Sequence, residues 1–171
     1  MGPAFAQWFL ERAKSHGAFE TRLVDLKEVN LPLFDEPRHP RLRQYEHAHT
    51  QAWSALVSSA DAFVFVMPEY NDSAPPSFTN ALTFLSQEWA YKPAGFVSYG
   101  GASGGLRAVE SAKGQLCALK VMPLPESVSV PMFSQHLQDG HFKGGEPFDK
   151  SATGMLNELA RWSGALAPLR G

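Results

Sequence analysis

The sequence predicts one α/β domain, a doubly wound parallel sheet covered by helices on both faces in three layers. Three observations carry that prediction. Two apolar runs without alternation, Ala62 to Met67 (AFVFVM) and Pro93 to Tyr99 (PAGFVSY), have the pattern of strands buried on both faces. Segments whose apolar residues recur at helical spacing alternate with these runs, which is the signature of βα units. The 171 residues suffice for one α/β core and are too few for two ordinary ones.

In chain order, Pro3 to Ser15 reads as a helix, with Phe5, Trp8 and Phe9 on one face and Gly17 as its stop. Phe19 to Leu26 (FETRLVDL) alternates and reads as a strand, centred on Arg22 to Leu26. Leu31 to Pro40 holds three prolines and reads as a loop. Arg43 to Ala60 reads as a helix through Trp53, Leu56, Val57 and Ala60. After the AFVFVM strand, Pro75 and Pro76 can open a helix whose face is Phe78, Ala81, Leu82 and Leu85. Leu106 to Leu119 repeats the helical period through Val109, Ala112 and Leu116, and Val121 to Val130 supplies a last strand, centred on Glu126 to Val130. Gly140 to Pro147 (GHFKGGEP) reads as a flexible loop, and Met155, Leu159, Trp162 and Leu166 mark a C-terminal helix.

Composition removes several functions. The formal charge of −2, without a run of either sign, leaves no footprint for nucleic acid. No segment approaches the ~20 apolar residues of a membrane span. The single Cys117 cannot form an internal disulfide and reads as a small core residue, so a reducing cytoplasm is the expected location. His47 and His49 cannot share one face of a helix, and His136 and His141 fall in loops, so no metal site is expected.

In an open parallel sheet, ligands sit beyond the carboxyl ends of the strands. Two segments occupy such positions. Pro68-Glu69-Tyr70-Asn71 leaves the first apolar strand, and Gly100-Gly101-Ala102-Ser103-Gly104-Gly105 leaves the second and enters a helix. Missing side chains in the second allow a flat ring or an anion to approach the backbone N–H groups closely. A polar proline turn and a tight strand-to-helix turn are the plainer accounts of the same residues.

Taken together, a strand ending in PEYN, a helix reading Asn80-Ala81-Leu82-Thr83-Phe84-Leu85-Ser86, then Glu88-Trp89, Lys92-Pro93 and a strand into GG-x-x-GG resemble the NADPH-dependent FMN reductases. The resemblance spans about residues 2–130. It implies a flavodoxin-like fold and FMN held at the strand ends. It also implies two-electron reduction of a flavin, quinone or similar acceptor by NADPH or NADH as co-substrate, in a homodimer or homotetramer. Pro68, Glu69, Tyr70 and Asn71 would then line one side of the isoalloxazine, largely through backbone groups, and Gly100 to Gly105 the other. Glu88 and Trp89 would fall near a neighbouring subunit. Members of the family open with a strand and a phosphate-binding loop, whereas this chain begins at Met1-Gly2-Pro3, already at the helix that follows. The first strand and the phosphate anchor are therefore expected to be missing, which makes a non-catalytic flavodoxin-like remnant the alternative.

Gly101-Ala102-Ser103-Gly104-Gly105 also satisfies G-x-S-x-G, the nucleophile elbow of a serine esterase. Its triad would need Asp139 and His141, two residues apart in a glycine-rich loop, to converge on Ser103.

Overall fold

The computed structural model describes residues 1–170. Three parallel strands form the main sheet in the order β1-β2-β3: β1 Phe63–Pro68, β2 Pro93–Tyr99 and β3 Met122–Val130. Phe63 lies opposite Ala94 and Pro68 opposite Tyr99, while Phe96 lies opposite Ser127 and Tyr99 opposite Val130. The β2–β3 ladder breaks between Ala94 and Phe96, where Pro123 and Pro125 of β3 lack the N–H a regular ladder needs. Proline is tolerated there because β3 is an edge strand.

Alternation along the strands sends side chains to two separate cores. Phe63, Phe65, Met67, Ala94 and Phe96 meet α3 (Ala48–Ser58), α4 (Pro76–Thr83) and α5 (Leu106–Ala118) through Trp53, Val57, Phe78 and Leu116. Val64, Val66, Val97, Tyr99 and Val128 meet α1 (Gly2–His16) and α6 (Glu146–Leu166) through Phe5, Phe9, Met155 and Leu159. Every residue of β2 is buried, as the middle strand of a three-layer α/β/α sandwich requires. The helix starting near residue 1 ends at Gly17 in the left-handed conformation (φ 78°), a glycine stop as the sequence indicates.

Four local expectations are corrected. Phe19 to Leu26 forms no strand: residues 17–25 are irregular, and Leu26–Val29 make one turn of helix, α2, capped by Asp25 accepting from the Lys27 N–H at 2.9 Å. Alternation becomes a strand only against a ladder partner, and the open edge of β1 pairs with nothing in the described residues. Leu23 and Val24 stay exposed as a result. The helix expected from Arg43 begins at Ala48, with His47 extended at its N-cap, so the His47 and His49 rings stack 5.2 Å apart and both lie on Asp35. The glycine-rich segment after Gly140 is not a free loop. Its residues His141–Phe142 (β5) pair antiparallel with Leu137–Gln138 (β4), and this seats Phe142 between Phe5 and Trp8. Cys117 is exposed rather than in the core.

Candidate active site

Both expected segments lie at the carboxyl end of the sheet, and they are joined directly. The Glu69 N–H donates to the Tyr99 carbonyl at 3.1 Å, continuing the β1–β2 ladder past its last pair. The Glu69 side chain, almost buried, crosses to the start of α5, where Oε2 accepts from the Arg107 N–H at 3.1 Å and Oε1 pairs with Arg107 Nε at 3.1 Å. A carboxylate from a neighbouring strand thus satisfies a free donor in the first turn of a helix whose own N-cap, Gly105, has no side chain to do so. Burial pushes the Glu69 carboxyl up, but hydrogen bonds from Ser103 and Arg107 and the Arg107 charge outweigh it and hold the group below its ordinary range.

Asn71 and Asp72 both take positive φ, and Tyr70 and Ser73 exchange hydrogen bonds of 3.0 Å in each direction across this two-residue turn. Asp72 Oδ1 adds a 2.9 Å contact to Arg107, and Ser111 Oγ accepts from the Ala74 N–H at 2.9 Å. The turn holds the Tyr70 ring out in solvent, 56% exposed, while the backbone N–H groups of Glu69 and Tyr70 are already used. Pro68 has no N–H, so Asn71 is the residue of this segment whose N–H remains free.

The glycines divide into two kinds. Gly104 (φ 61°) and Gly105 (φ 86°) have no room for a side chain: a Cβ on Gly104 would meet Ser129 Oγ and lie 2.9 Å from Pro131 N, and one on Gly105 would lie 2.7 Å from Ser98 Cβ. Ser98 and Ser129 hydroxyls both donate to the Gly104 carbonyl, at 2.9 and 3.1 Å. Gly101 differs, because a Cβ there would meet nothing within 4 Å. Among the described residues the N–H groups of Gly101, Ala102 and Ser103 have no hydrogen-bond partner, so three donors beyond the middle strand are unsatisfied by the chain. A flavin with anionic edge or phosphate oxygens fits such a cradle, whose donors need an acceptor and whose floor lacks a side chain.

A third wall escaped the sequence reading. After β3, the Met132 and Phe133 N–H groups donate to the Gly101 and Gly100 carbonyls at 2.8 and 3.2 Å, and Met132 stands 47% exposed beside them. The rule that ligands lie beyond strand carboxyl ends would have found it, since Pro131 follows the third parallel strand directly. Tyr99 underlies the site, stacked on Phe5 at 4.3 Å, and burial together with the nearby Tyr70 phenol pushes its hydroxyl up to about 12. A Cβ on Gly2 would lie 3.4 Å from that hydroxyl, so α1 begins at this same end of the sheet.

Ser103 is no esterase nucleophile. Its hydroxyl is engaged by the Gly105 N–H at 3.4 Å and by Glu69, and no histidine is among its hydrogen-bond partners. Glu88 and Trp89 are buried at the end of the turn that follows α4, just before β2. Both are inside this chain, Glu88 accepting from Tyr45 and Ser54 hydroxyls at 2.8 Å and Trp89 packed on Trp53 and Phe63.

Comparison with known proteins identifies the fold and the family. The family model for NADPH-dependent FMN reductase matches residues 1–135. An NAD(P)H-dependent FMN reductase of Schizosaccharomyces pombe is 42% identical over 105 residues, covering 60% of this chain and 52% of that protein. One of Saccharomyces cerevisiae is 33% identical over 138 residues, covering 69% of this chain and 71% of that protein. The chain thus spans about half the length of the first relative and about seven-tenths of the second. The solved structure of a flavoenzyme, the NAD(P)H:(acceptor) oxidoreductase FerB of Paracoccus denitrificans, superposes with a TM-score of 0.74 at 19% identity, over 96% of this chain and 90% of that one. The fold is that of the flavodoxin-like flavoenzymes, and the chain belongs to the NADPH-dependent FMN reductase family.

Proposed function

We propose that this protein is an NAD(P)H-dependent FMN reductase that passes electrons to a flavin, a quinone or a similar acceptor. One observation carries the reading: three adjacent N–H groups, on Gly101, Ala102 and Ser103, have no partner among the described residues, at the carboxyl end of the sheet in a chain of this family. Bound FMN would supply the two-electron chemistry, taking a hydride from NADPH or NADH and delivering it to the acceptor. The chain's part is to bind and orient. The Gly101–Ser103 donors would hold the electron-rich edge of the ring and stabilise added negative charge. Asn71 and the Tyr70 ring would border it from the β1 side, with Pro68, Glu69, Gly100, Gly104 and Gly105 keeping both loops in place. No side-chain nucleophile is needed.

The reading extends to a cytoplasmic homodimer or homotetramer. Tyr70, Leu106 and Met132 are exposed apolar groups grouped around the site mouth, where a second copy would cover them and shield the ring from water. Among the described residues no helix is long and apolar enough to cross a membrane.

The test is direct. FMN is titrated into the purified chain while flavin fluorescence is followed, and NADPH oxidation is then recorded with a quinone as acceptor. Saturable quenching with one FMN per chain and quinone-dependent NADPH consumption are expected. A chain that neither quenches FMN nor oxidises NADPH would refute the reading.

A further inference from the structure

A second site lies at the opposite end of the sheet. Three stretches that precede strands, Ala60–Asp61 before β1, Ala90–Lys92 before β2 and Ala118–Lys120 before β3, enclose a half-open cavity of about 900 Å³ together with Arg41, Arg43 and Arg170. That volume is within the range of small-ligand sites. It is ~20 Å from the Gly101 cradle, the length of the seven-residue β2.

The lining is strongly cationic in a chain whose net charge is −2. Arg41, Arg43, Lys92, Lys120 and Arg170 face two carboxylates, Asp61 and Glu88. Those two are already taken: Glu88 pairs with Arg43 at 3.4 Å and Asp61 with Arg170 at 3.3 Å. Arg41, Lys92 and Lys120 have no carboxylate partner among the described residues. Lys92 is the decisive one, because it is only 6% exposed and a buried lysine normally has a counter-charge. Its Nζ instead donates to the Val57 and Ser58 carbonyls at 2.8 and 3.3 Å and lies 5.6 Å from the Phe63 ring centroid, which leaves one N–H free and no carboxylate in salt-bridge contact among the described residues. Burial and the Arg170 charge together pull the Lys92 ammonium down to about 8, against the smaller opposing pull of Asp61 and Glu88.

Backbone strain collects at the same place. Arg43, Tyr91 and Lys120 all adopt φ between 52° and 60°, a conformation that residues other than glycine, asparagine and aspartate seldom take. Elsewhere in the described residues Met132 is the one further residue, outside those three types, to do so, and it borders the candidate flavin site. Strain of this kind persists where surrounding structure holds side chains in a required position, and it gathers at ligand sites.

We infer that the cavity bounded by Arg41, Lys92 and Lys120 binds a small polyanion of the phosphate-ester class, at a site separate from the flavin. Two or more phosphates would span the exposed rim cations and reach the buried Lys92, supplying a direct counter-charge that it lacks among the described residues. The inference is independent of the flavin reading, because the two sites share no residue.

Pyrophosphate is the probe, titrated calorimetrically into the purified protein at constant ionic strength, with and without saturating FMN. One pyrophosphate per chain is expected, with affinity unchanged by FMN. The double variant Arg41→Gln/Lys120→Gln should weaken it about tenfold or more, and both side chains are exposed, so the fold should tolerate the change. Lys92→Met should weaken it similarly and is the second, buried test of the same site. No binding to the parent protein would overturn the inference. Binding that FMN displaces would place the anion at the strand carboxyl ends, and binding that survives both variants would place it elsewhere on the surface; either result overturns it too.

Discussion

At the scale of single residues, Glu69 is the clearest case of a position whose chemistry and structure differ in purpose. Its place in PEYN points to the flavin edge, yet its carboxylate is spent on Arg107 and Ser103 and ties two loops together. Glu69→Gln should lower stability by about 1–2 kcal/mol, hence Tm by roughly 3–8 °C. Because the carboxyl is held below its ordinary value of 4.5, this contribution is present above that value and is lost as pH falls through the lowered one. Unfolding curves of parent and variant should therefore differ at pH 7 and converge in acid; a gap that persists in acid would contradict the assignment. The two kinds of glycine make a second contrast. Gly101→Leu should leave Tm nearly unchanged and weaken FMN binding at least about tenfold, because the side chain would enter the open cradle. Gly104→Leu should instead destabilise the fold by several kcal/mol, since its backbone is left-handed and Ser129 and Pro131 leave no space. Thermal melts read together with FMN titrations separate these outcomes, and equal melting temperatures for the two variants would undo the distinction.

At the scale of elements, the strands show how much a sheet position matters beyond apolarity. AFVFVM and PAGFVSY look equivalent as apolar runs, but β2 is buried throughout whereas β1 has only Met67 fully buried. The cause is hydrogen bonding. β2 has a partner on each side, while β1 pairs on one side alone and leaves half its N–H groups without a ladder acceptor among the described residues. Native-state hydrogen exchange should find the amides of β2 the slowest in the molecule and alternate amides of β1 faster by orders of magnitude. Uniform protection along β1 would mean that its open edge is covered. The failed strand at Phe19 to Leu26 belongs to the same account, since its alternation was real but met no ladder partner.

At the scale of the whole molecule, two cores share one strand. Phe96 looks toward α3, α4 and α5, and Val97, the next residue, looks toward α1 and α6. Both are fully buried, so neither core can come apart without disturbing β2. Phe96→Ala should cost about 3–5 kcal/mol and Val97→Ala about 2 kcal/mol, and each should lower one common transition rather than split it. Calorimetry would expose an error as two separate melts. The same architecture places the flavin candidate at the carboxyl ends of the strands and the cationic cavity at their amino ends, so the sheet holds two functions apart.

Periodicity and burial pattern in the sequence by themselves determined the α/β class, the three parallel strands, the helices at Gly2–His16 and Leu106–Ala118, and the PEYN and GGASGG segments at the strand ends. Those features follow from local rules, because a buried strand or an amphipathic helix carries its signature in consecutive residues. Tertiary structure alone decided what depends on distant partners. Among these are the unpaired edge of β1, the burial of Glu88 and Trp89, the β4–β5 pairing around Gly140, and the closing of the site's third wall by Met132 and Phe133. The division of labour among the glycines was equally invisible, since the four that read alike in GGASGG differ only in what stands opposite each one. Lys92 marks the boundary most sharply: in the sequence it is simply the residue before a strand, and only the meeting of three strand beginnings turns it into a buried charge without a carboxylate partner among the described residues.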